Sequence, residues 1–236
     1  TEHSYGLIDN LKDATALCGN LLTFPIVAFD TETTGIDAMS AEMVGMSFAV
    51  EGGRAWYVAV PENQAEAQEF VDAFRPFFEN EGQIKVGQNL KYDLTILSHH
   101  GVEVKGELFD TMLAHYVVEP EQRHNMDHLA ETYLHYRTIH IEELIGTGRQ
   151  QKNMRDLAPS EICDYACEDA DITLRLYPIL REKMAECDVT DVFSKIEMPL
   201  LPVLARIEQN GVRLDTEALR QTGDDFRARL QTLEEE

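Results

Sequence analysis

The stretch IVAFDTETTG, residues 26–35, decides how this chain is read. Four apolar residues have the character of a buried strand, and they run straight into two carboxylates, Asp30 and Glu32. In an extended segment side chains alternate between faces, so Asp30 and Glu32 project the same way and lie close together. Two like charges about 4 Å apart at an effective dielectric of about 20 repel by about 4 kcal/mol, which a bound cation would relieve. The plainer reading is the polar end of a strand, with Thr33, Thr34 and Gly35 making a turn. The rest of the chain has to decide between them.

Outward from this strand, MVGMSFAV (residues 43–50) and AWYVAV (residues 55–60) are β-rich runs separated by Glu51, Gly52, Gly53 and Arg54, the pattern of a hairpin. Residues 63–78 place Phe70, Val71, Phe74, Phe77 and Phe78 at helical spacing. A short strand is expected at 84–87, a helix over LKYDLTILSHH, a further strand at ELFD, and a helix over TMLAHYVVE with Asp110 as its N-cap. Three strands, helix, strand, helix, strand, helix is an α/β layout with a mixed sheet of about five strands flanked by helices. Sites in such sheets gather at the carboxyl ends of strands, where Asp30 and Glu32 lie. From Met126 onward the chain reads as mostly helical, interrupted by the loop GTGRQQKNMRDLAPS, which carries Arg149, Lys152 and Arg155.

Two more acidic residues are out of place. After Pro159 the positions Ile162, Tyr165, Asp169, Ile172 and Leu176 are spaced 3, 4, 3, 4, one face of an amphipathic helix, and Asp169 interrupts its apolar stripe. Tyr165 lies one turn earlier on that face, so phenol and carboxylate address one site. Asp164, Glu168 and Asp171 fall off the stripe and read as solvated charges. Asp93 follows a strand end within the first turn of its helix, among Leu90, Leu94 and Leu97; an acid near a helix N-terminus is its plainer explanation. Together these elements bring four carboxylates toward one semi-buried place. That is the ligand set hard divalent ions such as Mg2+ or Mn2+ prefer.

Composition bounds the alternatives. At 236 residues and 44% apolar content the chain can bury a sizeable core. No apolar run reaches the roughly 18 residues of a membrane span, and no secretory signal pattern opens the chain. The chain begins on Thr1 and ends on RARLQTLEEE without a stop signal, so an excised fragment is expected. Four cysteines without a C-x-x-C pair suggest no disulfide framework and fit a reducing cytoplasm. Cys163 with Cys167, and His124 with His128, have the spacing of zinc ligands but no convincing partners nearby. The net charge of −23, from 43 acidic and 20 basic residues, argues against a protein that coats nucleic acid through its own cations. Bound metal, or other domains that hold a duplex, would soften that objection.

FDTET, GQNLKYD and YACEDAD resemble the three motifs of the DnaQ-like, ribonuclease H-like 3'-5' exonuclease superfamily: D-x-E, N-x-x-x-D and Y-x-x-x-D. The match is strongest to the proofreading domains of bacterial DNA polymerase I, the Klenow type, and extends to FDTMLAHYVV and RHNMDHLAE. KIEMPLLPVLARIEQNGVRLD, residues 195–215, resembles the segment where that family's polymerase domain begins. The resemblance implies an exonuclease domain over residues 1–187 and the truncated helical start of a polymerase domain over 188–236. It also implies two divalent ions, Mg2+ or Mn2+, with Zn2+ as an alternative in one site. Asp30, Glu32 and Asp169 would bind one ion, with Asp30 shared with the second, and Asp93 would support the second through water. Tyr165 would orient the attacking water, while Thr31, Ile36, Gln88, Asn89 and Tyr92 would lie along a frayed single-stranded DNA 3' end. The expected protein is cytoplasmic, outside membranes and monomeric, and works with the polymerase domain of the same full-length chain. Ile141 stands near where well-known members have a Phe. An exoribonuclease of the RNase D kind and a catalytically silent module of the same fold are the rival readings.

Overall fold

The computed structural model describes residues 3–235, the side chain of Arg149 excepted. Residues Thr1–Ala205 form one compact unit and Arg206–Glu236 another. In the first, β1 (Ser4–Ile8) and α1 (Leu11–Leu21) precede β2 (Ile26–Thr33), which carries Asp30 and Glu32. β3 (Met43–Glu51), β4 (Arg54–Ala59) and α2 (Gln64–Phe78) follow, then β5 (Ile84–Gly87), α3 (Leu90–His99), β6 (Glu107–Asp110) and α4 (Thr111–Val118).

The strands make one mixed sheet in the order β1-β4-β3-β2-β5-β6. β2·β3 and β3·β4 are antiparallel, whereas β1·β4, β2·β5 and β5·β6 are parallel. The sheet therefore has six strands rather than about five. The addition, SYGLI, is a five-residue edge strand with no buried position, so it lacks the apolar alternation by which a strand is recognised.

β2 separates two cores. Val27 and Phe29 face a layer built from α1, α2 and α3, where Phe29, Phe48, Phe74, Phe77 and Phe78 make a cluster of stacked and edge-on rings. Ala28 faces the other layer. That layer is dominated by α7 (Pro159–Glu186), reached through the short helices α5 (Met126–Leu129) and α6 (Ile141–Ile145). α7 starts where it does because Pro159 takes the first turn and the Glu161 carboxylate accepts from the Ala158 N–H at 2.8 Å.

α7 is buried on more than one face. Glu168 and Asp171, read from sequence as solvated charges, are each 3% exposed. Glu168 accepts from the Tyr136 hydroxyl (2.5 Å) and the Ile139 N–H (2.6 Å). Asp171 accepts from the Tyr5 hydroxyl (3.0 Å) and the Gly53 N–H (2.8 Å), tying β1 and the β3–β4 turn to the helix. The off-stripe face of α7 is thus covered by segments distant in sequence, which helical periodicity cannot show. Asp164 is exposed, as expected.

After α8 (Thr190–Val192), α9 (Met198–Asn210) buries Leu201 and Ala205. In the second unit, α10 (Thr216–Glu235) buries no residue and leaves Leu219, Phe226, Leu230 and Leu233 exposed. Among the described residues no helix is long and apolar enough to cross a membrane.

Candidate metal centre

Asp30 and Glu32 leave β2 on the α7 side of the sheet, and Thr31 between them leaves on the α3 side. The β2·β3 register shifts between Glu32 and Thr33, a bulge that ends regular pairing where the strand reaches the groove. Across that groove α7 presents Asp169 and, one turn before it, Tyr165. Ligand oxygens of Asp30, Glu32 and Asp169 all lie within 4.8 Å of one another. Among the described residues this is the one set of three or more such side chains so placed, and neither the Cys163/Cys167 pair nor the His124/His128 pair gains a third member.

Asp93 lies beneath this floor, 2% exposed. One of its oxygens accepts from both the Thr31 N–H (3.0 Å) and the Thr31 hydroxyl (2.6 Å), so Thr31 couples α3 to the middle of the D-x-E segment. α3 is itself held unusually. Its N-cap, Asn89, adopts the left-handed conformation (φ 63°) and supplies no side-chain cap. Asp110 supplies one instead, accepting from the Asn89 and Leu90 N–H groups (3.2 and 2.8 Å) while capping α4 through Met112 and Leu113 (2.8 and 3.2 Å). The sequence identifies Asp110 as the cap of α4. Its second task, at α3, needed the β5–β6 pairing to be known.

The groove has a volume of about 890 Å³ and is lined by Thr31, Ile36, Asn89, Tyr92 and Tyr165 together with the three carboxylates. Ile36 is fully exposed at its rim. The Tyr92 hydroxyl sits 2.5 Å from both the Thr33 hydroxyl and the Gly35 carbonyl, clamping the TTG corner and leaving the ring to face the groove. Gln88 is placed differently: its amide donates to the His124 carbonyl (2.8 Å) and accepts from Thr111, so it braces the wall and does not line the groove. Ile141 lines it in place of a ring.

The electrostatics of this floor are unfavourable without a counter-charge. Burial pushes the Asp30 carboxyl up from 3.8 to about 7. Burial first, and then the Asp30 charge, hold Glu32, Asp93 and Asp169 well above the ordinary carboxylate range. Glu32 Oε1 is buried with no hydrogen-bond partner among the described residues. Burial, then Asp169, also raises the Tyr165 phenol, which is therefore neutral at physiological pH. A divalent cation meets each of these demands at once, so the residues present fit a metal.

A pH dependence follows. An acid whose folded pKa exceeds its unfolded value opposes folding when ionised; here that cost is absent below about 3.8, grows with pH, and is complete above about 7. In EDTA, Asp30→Asn should melt several degrees above the parent at pH 8. The gap should close as the pH falls toward 4, which melting curves across pH would read; parallel curves would mean that Asp30 carries no such burden.

The family model described as 3'-5' exonuclease matches residues 5–185. DNA polymerase I of Pseudomonas aeruginosa is 43% identical over 205 residues, covering 82% of this chain and 22% of that protein. The chain spans about a quarter or less of the curated relatives it first matches. Among solved structures, the POL domain of Pol1 from M. smegmatis in complex with DNA primer-template and dNTP superposes with a TM-score of 0.77 at 21% identity, over 96% of this chain and 36% of that one. Brucella melitensis NrnC with bound Mg2+ superposes with a TM-score of 0.66 at 17% identity, over 89% and 95% of the two chains. These two likenesses concern the fold, which agrees with a ribonuclease H-like α/β architecture.

Proposed function

Because the chain belongs to the 3'-5' exonuclease family, we propose that it removes mononucleotides from single-stranded or frayed DNA 3' ends as the proofreading part of a bacterial DNA polymerase I. Residues 188–236 are then the start of the polymerase domain, and the apolar positions Leu219, Phe226, Leu230 and Leu233, spaced 7, 4 and 3 along α10, await cover from that domain. The whole protein is a cytoplasmic monomer in this reading. The observation that carries the proposal is the convergence of Asp30, Glu32 and Asp169 around an unpartnered Glu32 oxygen at the floor of an open groove.

Asp30, Glu32 and Asp169 would hold one divalent ion, Mg2+ or Mn2+, with Zn2+ as an alternative. Asp30 would be shared with a second ion, which Asp93 would support through water from its place beneath Thr31. When bound, the ions supply positive charge that offsets the carboxylates and stabilises an in-line phosphoryl displacement. No histidine base or nucleophilic serine is then required. Tyr165 stays protonated beside Asp169 and can orient the attacking water by hydrogen bonding. Ile36, Asn89 and Tyr92 receive the strand, apolar surface against bases and polar groups against sugar and phosphate, which suits an enzyme that must accept any sequence. Mispaired ends reach the groove more often because they fray at lower cost.

Incubating a 5'-labelled single-stranded DNA oligonucleotide with the protein and Mg2+ or Mn2+ should give a ladder shortening from the 3' end, abolished by EDTA. An intact oligonucleotide with metal present would remove the reading, and faster loss of the matching RNA would favour the exoribonuclease. Tyr165→Phe should lower kcat by roughly ten- to a hundredfold, the scale of a lost positioning contact, with Mn2+ affinity by calorimetry unchanged. A fall in both would make Tyr165 part of the metal's support.

A further inference from the structure

The carboxylates that suit a metal also repel what the metal is there to act on. Three line the groove and a fourth lies below it, in a chain of net charge −23. Among the described residues lining the groove, Lys152 alone is cationic. Its side chain is exposed, and among the described residues no carboxylate pairs with it. Among the described residues Lys12 and Lys105 also lack a carboxylate partner, so what sets Lys152 apart is its place, an ammonium in the lining of an acidic groove.

Its backbone is fixed where a flexible loop would be expected. The Lys152 N–H donates to the Ile145 carbonyl (2.8 Å). The Asn153 amide reaches the Thr34 carbonyl at the end of β2 (2.8 Å), while Asn153 and Asp156 close a reciprocal capping box. Two residues on, the Arg155 guanidinium donates to the carbonyls of Val60 (2.7 Å) and Met43, and Met154 is buried between. The segment that carries Lys152 is thus anchored to β2, β3 and the end of β4, the strands that frame the site, while Lys152 itself projects free.

We propose that Lys152 is a phosphate-binding residue for the single strand, its ammonium engaging a backbone phosphodiester in the groove that Lys152 lines. The inference rests on the nucleic-acid substrate argued above. A lysine on a flexible stem contacts phosphate as a point charge and reads no base, so it adds affinity without sequence preference. It also supplies, at one place, the attraction that the rest of the surface withholds.

The test uses the whole chain with Lys152→Ala, Lys152→Arg and, as a control on a distant exposed lysine, Lys12→Ala. Two quantities are read on a labelled oligothymidylate: binding by fluorescence anisotropy in EDTA, and kcat and KM with Mn2+, both over a range of KCl. Lys152→Ala should raise Kd and KM about tenfold, leave kcat within about twofold, and lower the slope of log affinity against log salt by about one ion's worth. Lys152→Arg should restore most of the affinity, and Lys12→Ala should change neither slope nor KM. A salt slope for Lys152→Ala equal to that of the parent would overturn the assignment. A parent that binds the oligonucleotide but never shortens it would instead sink the exonuclease reading, leaving the anisotropy slopes to decide Lys152 alone.

Discussion

Asp30→Ala should abolish strand shortening, lowering the rate by about 10⁴-fold or more, roughly 5.5 kcal/mol of transition-state stabilisation at 1.36 kcal/mol per factor of ten. The size follows from where Asp30 sits. Its charge is the strongest acting on each of Glu32, Asp93 and Asp169, so it is the common neighbour of the cluster, and it would contact both ions. In the proposed reading its removal would withdraw a ligand while also relieving repulsion. Activity and stability should therefore move in opposite directions: the variant should melt no lower than the parent in EDTA, and calorimetry should show weakened Mn2+ binding. Asp169→Ala should behave alike, since it closes the same triangle from α7. Hydrolysis surviving in either variant with metal in excess would show that these carboxylates do not hold the catalytic ion.

Gly45→Ala should be strongly destabilising. A Cβ at Gly45 would lie 2.2 Å from Tyr57 Cε2 and 2.5 Å from both its Cζ and hydroxyl. Tyr57 is fully buried in the layer beneath α7 and cannot swing into solvent. Overpacking of this kind costs about 3 kcal/mol, or roughly 10 °C for a domain of this size. Gly45 is also the register partner of Glu32, so displacement of Tyr57 disturbs a site carboxylate and activity should fall with stability. A second substitution, Tyr57→Leu, should recover part of the loss because the three atoms nearest the added methyl all belong to Tyr57. Equal melting of Gly45→Ala and the parent would mean that the sheet opens there more readily than its packing implies.

What the sequence disclosed, it disclosed through short-range periodicity. The period of two put Asp30 and Glu32 on one face, and the 3-4 spacing put Tyr165 with Asp169, because both rules act within a single element. Strands 84–87 and 107–110 matched residue for residue since each is a short segment with two large apolar residues cut off by a helix signal. The misses are contacts made across long stretches of chain. Glu168 and Asp171 looked solvated until Tyr136, Ile139, Tyr5 and Gly53 were found covering them. Gln88 pointed at a strand in the motif but in the fold spends its amide on Thr111 and His124. Nothing in residues 4–8 announces an edge strand, whose pairing with β4 is decided by backbone groups common to every sequence.

The Tyr5–Asp171 bond spans 166 positions of chain. A ribosome releases the amino end first, so this bond, and the Asp169 corner of the acidic floor beside it, must wait until α7 has left the exit tunnel. Until then the nascent chain carries Asp30 and Glu32 but no complete cage for an ion. In the proposed exonuclease the acidic site is therefore incomplete until synthesis has moved past the long helix that carries Asp169.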